Sequence, residues 1–330
     1  MNLDEMVALS VKHNAADLHL CSGHLPCWRR QGRLETLPQQ PRIADDGIAQ
    51  FMAQWLSDAQ RQQLAQAGQI DFALSLADGS RLRANLFRQR EGLSLALRII
   101  ATTCPTLAEL QLPASVPPLL AQQDGLILVT GATGSGKSTT LAALVDTLNR
   151  QQARHIITLE DPIEFIHQSR QSLIQQREIG LHCASFALGI RAALREDPDV
   201  ILLGELRDSD TIRQALTAAE TGHLVLATLH TRGAAQAVDR LVDVFPAEEK
   251  PLVRSQLAGS LKAVIAQRLV PAAADGRIAL FEILIATPGI TNLIREGKMH
   301  QIPALLQTGA QAGMQTFEQS RLARQAAGLI

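Results

Sequence analysis

The sequence predicts a mixed α/β protein in two domains, the second built around a parallel sheet flanked by helices. Three observations predict it. A glycine-rich loop at residues 131–138 stands between the apolar run Leu126-Ile127-Leu128-Val129 and a helical pattern over Ser138–Leu144. Further apolar runs at Ile156–Leu159, Val200–Leu203 and Leu224–Leu229 recur with helical patterns between them. Strands buried on both faces of a parallel sheet read in that way. A proline-punctuated stretch, from Pro105 through Pro113 to Pro117-Pro118, separates all of this from a first region of short strand-like segments.

That first region opens on an amphipathic helix whose apolar face holds Leu3, Met6, Val7, Leu9 and Val11. Strands are predicted at Asp17–Leu20, Trp28–Arg30, Ile70–Leu76, Arg81–Phe87 and Leu93–Ile99, with turns at Gln31-Gly32 and Asp78-Gly79. Ile48–Leu56 and Asp58–Ala65 read as helices. The expected boundaries are a small α/β domain over 1–101, a hinge over 102–122 and the second domain over 123–330. After Pro246 the pattern turns mostly helical, over about 247–330. It is read as Glu248–Val270, Ile290–Glu296, Ala304–Thr308 and Gln315–Ala327, with a strand pair near Arg277–Ile285.

Composition narrows the function classes. The chain of 330 residues is 46% hydrophobic and carries a net charge of −1, so no global field draws it to nucleic acid or anionic lipid. Residues 1–100 hold 11 Lys+Arg against 10 Asp+Glu, which excludes a basic tail there. Nothing approaches the roughly 18 consecutive apolar residues of a transmembrane helix. The start Met1-Asn2-Leu3-Asp4-Glu5 lacks the cationic opening of a signal peptide. Cys21, Cys27, Cys104 and Cys183 form no Cys-x-x-Cys pair and read as reduced thiols. The expected location is the cytoplasm.

The loop Gly131-Ala132-Thr133-Gly134-Ser135-Gly136-Lys137-Ser138, followed by Thr139, is a complete phosphate-binding loop in the strand–loop–helix setting such loops require. Glycines let backbone N–H groups turn inward around phosphates, and the helix N-terminus adds partial positive charge. Lys137 can then reach the β- and γ-phosphates of ATP, and the Ser138 hydroxyl can ligate Mg²⁺. Three later segments add chemistry. Glu160, Asp161 and Glu164 follow a strand at the edge where open α/β sheets bind ligands, so one of them can orient a water for attack. Val200–Leu203 leads through Gly204 to Glu205, a carboxylate suited to Mg²⁺ through water. Arg207 and Asp208 either pair with each other or touch nucleotide. His223 and His230 bracket one strand, and the one leaving it, His230, is the nearer to the γ-phosphate. Neither has a Cys or His at metal-ligand spacing, and no zinc is expected.

In the first domain Arg81, Arg83, Arg88, Arg90 and Arg98 cluster with only Glu91 opposing them. A charged strand edge kept from pairing and a set of phosphate ligands are equally supported by these residues alone.

Taken in order, these segments resemble the secretion-ATPase superfamily of type II secretion and type IV pili, and within it the retraction-type branch. The likeness includes Ala16-Asp17-Leu18-His19-Leu20, the phosphate loop, Glu160–Glu164, Arg195–Asp199, Thr221–Thr231, Arg240–Pro246, Asn292–Glu296 and Gln307-Thr308-Gly309. The resemblance implies a homohexamer whose subunit hinges an N-terminal PAS-like domain to a RecA-like ATPase domain. It implies Glu164 as general base, Glu205 as the Mg²⁺-associated acid and His230 as a sensor of nucleotide state. Arg83 and Arg98 would close over the phosphates. The implied partner is an inner-membrane platform protein, at which the cytoplasmic ring would be peripheral; nucleic acid is not expected. The four-cysteine zinc module and longer N-terminal extension common in secretion and extension members are not seen. Departures from the retraction pattern are Phe281 for a histidine, Gly289-Ile290-Thr291 before Asn292, and Ala132 for a proline. A RecA-like nucleic-acid motor is the alternative; with 3% aromatics, no tyrosine and no basic excess, it lacks a stacking surface. A small-molecule kinase ranks third, for want of an acceptor pocket.

Overall fold

The computed structural model describes residues 3–13, 15–30, 33–37, 40–44, 47–76, 81–100, 103–274 and 276–330. The chain divides into two compact units, Met1–Thr103 and Cys104–Ile330.

The first unit runs α1 (Leu3–Lys12), β1 (Asp17–Cys21), β2 (Cys27–Arg30), β3 (Arg33–Thr36), α2 (Gly47–Trp55), α3 (Asp58–Ala67), β4 (Gln69–Ser75), β5 (Arg81–Gln89) and β6 (Gly92–Ile100). Its strands form one antiparallel sheet in the order β3-β2-β1-β6-β5-β4. Alternation decides which face is inside. Leu82, Ala84 and Leu86 of β5 and Leu95 and Leu97 of β6 are buried with Met6 and Val7 of α1, Ile48 of α2 and Leu64 of α3. Helix α3 starts on a capping box between Ser57 and Gln60 and stops at Gly68, whose φ of 75° is left-handed. The strand β3 lies outside the predicted set: it is four residues long, mostly exposed, and carries no apolar alternation. The turns expected at Gln31-Gly32 and Asp78-Gly79 lie outside the described residues.

The second unit continues with β7 (Gly125–Thr130), α4 (Lys137–Gln151), β8 (His155–Glu160), β9 (Leu173–Glu178), α5 (Phe186–Ala193), β10 (Val200–Leu203), α6 (Ser209–Glu220), β11 (Leu224–Leu229), α7 (Ala234–Asp243) and α8 (Lys250–Ser260). It ends with β12 (Leu261–Pro271), β13 (Arg277–Ile285), α9 (Pro288–Glu296), α10 (Ile302–Thr308) and α11 (Phe317–Ala326). The sheet order is β13-β12-β7-β11-β10-β8-β9, parallel throughout except for β13. Both faces are covered. Leu126, Leu128, Ile201, Leu203, Val225 and Ala227 point toward α5–α8, while Ile127, Val129, Leu202 and Leu226 pack with Leu141, Leu144 and Leu148 of α4.

Two expectations change here. Residues Glu248–Val270, read as one helix, break at Ser260 into α8 and the long strand β12. The run Ala263-Val264-Ile265-Ala266 is buried on both faces beside β7, and periodicity cannot tell such a run from a buried helix. The 247–330 region is therefore four helices around a two-stranded antiparallel extension of the sheet. The segment read as a hinge over 102–122 belongs, from Cys104 on, to the second unit. Leu107, Val116, Leu119 and Leu120 are buried in its core, and the Arg324 guanidinium donates to both the Gln111 carbonyl and side chain.

Candidate active site

Parallel strands put all their carboxyl ends on one edge, and the residues that follow β7, β11, β10 and β8 are neighbours there in that order. After β7 the chain turns through Gly131–Gly136 into α4. Two glycines are required by what surrounds them. A Cβ at Gly131 would lie against the Ser135 hydroxyl and 2.6 Å from the Gln267 carbonyl oxygen; Gly136 has a φ of 89° at the N-cap of α4. Lys137 is 8% exposed, and its Nζ donates to the carbonyls of Gly131 at 3.0 Å and Ala132 at 3.1 Å. Burial pushes its pKa down, opposed by the charge of Glu164.

From Lys137 a chain of polar contacts crosses the strand ends. Lys137 Nζ lies 3.4 Å from His230 Nδ1, and His230 Nε2 lies 2.9 Å from Glu205 Oε2. The other Glu205 oxygen pairs with Arg207, whose guanidinium reaches to 4.0 Å from Asp161. A neutral imidazole satisfies both neighbours of His230, with Nδ1 accepting from the ammonium and Nε2–H donating to the carboxylate. Burial lowers the His230 pKa first, and the Lys137 and Arg207 charges lower it further. His230 and Glu205, from the ends of neighbouring strands, thus meet. Arg207 and Asp208 do not pair: Asp208 caps α6, accepting from the Thr211 N–H at 2.8 Å and hydroxyl at 2.9 Å. The alternative contact for Arg207 is the Glu205 carboxylate. His223 is elsewhere, at the opposite end of β11, hydrogen-bonded to the Ala218 carbonyl at 3.0 Å.

The three carboxylates after β8 separate by environment. Glu160 turns inward, accepting from the Thr158 hydroxyl at 2.6 Å, from the Gln176 amide at 3.1 Å and from the backbone N–H of Glu164. Burial raises its pKa despite those donors. Asp161 faces Arg207. Glu164 is exposed and acts electrostatically on Lys137.

In the first unit Arg83 and Arg98 are exposed and directly opposite on β5 and β6. Arg98 Nε donates to Asp17 Oδ1 at 2.8 Å, so the cluster has a second opposing carboxylate besides Glu91. It went unseen because Asp17 is 81 residues away in the chain and meets Arg98 only through the β1–β6 register.

The residues fit a magnesium–nucleotide ligand. Ser135 Oγ is buried with no hydrogen-bond partner among the described residues, a donor left inside the loop. Ser138 and Glu205 supply hard oxygen donors, and no cluster of three or more His, Cys, Asp or Glu forms a cage among the described residues. That donor set suits a cation completing its shell with phosphate oxygens and water, as Mg²⁺ does.

Comparison with known proteins decides the family. The model of the type II/IV secretion system proteins matches residues 2–328. The chain belongs to that family. Its members include the uncharacterized protein YggR of Escherichia coli (strain K12), 62% identical over 320 residues and covering 97% of each chain. They also include the type IV pilus retraction ATPase PilT of Pseudomonas aeruginosa, 45% identical over 330 residues, covering 100% of this chain and 96% of that one. Among solved structures, the pilus retraction motor PilT with bound ADP superposes with a TM-score of 0.93 at 41% identity, covering 100% of this chain and 94% of that one. The activity that goes with membership is ATP hydrolysis.

Of the departures from the family's retraction pattern, Ala132 lies in the loop, its carbonyl on Lys137, while the other two fall away from the polar chain. Phe281 is 1% exposed in the core of the second unit, its backbone N–H donating to Ser320 Oγ at 3.0 Å. Thr291 lies in α9 with its hydroxyl on the Pro288 carbonyl. Three supporting residues had no motif to announce them. Gln267 of β12 binds the loop itself. Glu282 of β13 accepts from the Ala234 N–H at 2.8 Å, capping α7 shortly after His230. Arg268 donates to the Arg232 carbonyl at 3.0 Å and lies 4.0 Å over the Phe317 ring.

Proposed function

We propose that this chain is the ATPase subunit of a pilus-retraction type of motor, a homohexameric ring acting on an inner-membrane platform protein from the cytoplasmic side. One observation carries the reading: the contact chain Lys137–His230–Glu205–Arg207 follows the order of the strands β7, β11 and β10. Lys137 and the loop N–H groups of Gly131–Thr139 bind the β- and γ-phosphates. Ser138 and Glu205 would hold a Mg²⁺ ion, whose charge would offset that of the phosphates. Glu164, exposed beside the Lys137 charge, orients the attacking water, and Glu160 holds the Glu164 backbone from behind. His230, touching Lys137 on one side and Glu205 on the other, responds to whether the γ-phosphate is there. Arg83 and Arg98, exposed side by side on the first unit's sheet, supply further cations for phosphate. The retraction assignment is supported by the full-length likeness to PilT.

The test is phosphate release from ATP with Mg²⁺. Lys137→Ala is expected to fall below about one-hundredth of the wild-type rate. A wild type that releases no phosphate, or a variant as fast as wild type, sinks the reading.

A further inference from the structure

We infer that Gln267 is a positioning residue that turns the phosphate-binding loop into its anion-receiving conformation and so sets the affinity for the β-phosphate of a nucleotide. The inference rests on the nucleotide reading above and adds a determinant outside the loop, on a strand 132 positions away in sequence.

Gln267 is 2% exposed on β12, at the end of a run otherwise made of Ala263, Val264, Ile265 and Ala266. A buried primary amide is costly unless both its ends are satisfied, so an apolar residue would serve better if packing were the only demand. Here both ends are satisfied by the loop and its helix. Nε2 donates to the Ser135 carbonyl at 2.5 Å, and Oε1 accepts from the Thr140 hydroxyl at 2.7 Å. The amide orientation is fixed by chemistry, because a carbonyl oxygen only accepts. The same residue limits the loop at both ends. Its carbonyl oxygen stands 2.6 Å from where a Gly131 side chain would begin, and its Nε2 stands 3.1 Å from the same point at Gly136.

The consequence follows from peptide geometry. A loop that receives an anion must point N–H groups inward and carbonyls outward. Each peptide unit is planar and trans, so holding the Ser135 carbonyl on the Gln267 amide points the Gly136 N–H in the opposite direction within that plane. Without that partner the Ser135 carbonyl has no reason to stay turned away, and a carbonyl facing the phosphates would repel them. Thr140, one turn into α4, keeps the glutamine from rotating off.

The test measures the dissociation constant of fluorescently labelled ADP for the full-length chain, together with the melting temperature without nucleotide. Gln267→Met keeps the volume and removes both hydrogen bonds. It is expected to weaken ADP binding by about tenfold or more. Thr140→Val removes one bond and is expected to weaken binding less. The double variant is expected to bind about as well as Gln267→Met alone, since both changes act through one side chain. If Gln267→Met does not fold, Thr140→Val carries the test. An unchanged dissociation constant in the folded variants overturns the inference, as does a lowered melting temperature with affinity intact, which marks a purely structural role. Wild type failing to bind ADP sinks the nucleotide reading as well, whereas unchanged affinity in the variants leaves that reading standing.

Discussion

In the second unit, β7, β10 and β11 are buried along their whole length, whereas in the first unit β5 alternates buried Leu82, Ala84 and Leu86 with exposed Arg83. The contrast lies in where each sheet can keep polar side chains. A strand covered on both faces has room for them only at its end, so Lys137, Glu205 and His230 collect at one edge because the interior of the sheet excludes them. A strand covered on one face can carry charge anywhere along its other face, as Asp17, Arg83 and Arg98 do. The place of polar residues in the second unit is thus dictated by topology, whereas in the first it is only permitted by it.

Substitutions at the two kinds of position sharpen that difference. Glu164→Gln, at a strand end, is expected to cut ATP turnover by about 10²- to 10⁴-fold while leaving ADP affinity unchanged. Equal loss of binding and turnover, measured by titration beside steady-state rates, reassigns Glu164 to holding the loop. Arg83→Ala, on the open face, is expected to slow turnover by roughly ten- to a hundredfold. Being exposed, it should shift stability by no more than about 0.5 kcal/mol, which thermal melting checks. A large loss of melting temperature at an unchanged rate gives Arg83 to the sheet instead. The mildest effect comes from acid. The His230 pKa in the fold lies below that of the unfolded chain, so between the two values the unfolded chain binds more protons. The His230 contribution to stability is therefore complete above about pH 6.5 and declines as pH falls through the folded value. Turnover should decline in the same window, because a protonated Nδ1 no longer accepts from Lys137. His230→Gln should flatten that part of the profile; a profile identical to wild type assigns the titration to another group.

Much of this was legible before any coordinates. β10 and β11 stand at the predicted residues and β7 starts one residue earlier, because continuous apolar runs between loops have few alternatives. Glu205 and His230 were legible as the polar residues that close such runs. β12 was not, since Leu, Ala, Lys and Gln suit a helix as well, and only its pairing with β7 makes it a strand. β9 escaped because Gln175, Gln176 and Arg177 give an edge strand no apolar signature. Gln267 belongs to no motif; its meaning depends on a fold that brings it to Ser135 across 132 positions of sequence. Of the two readings of Arg207, pairing with Asp208 fails because that acid is taken by a helix N-terminus.

The residues just beyond His230 are moored from β12 and β13, by Glu282 at the Ala234 N–H and by Arg268 at the Arg232 carbonyl. The mainchain on that side of the imidazole is therefore tied down, so a change in what His230 touches falls first on its side-chain torsions and on the hydrogen bonds to Lys137 and Glu205.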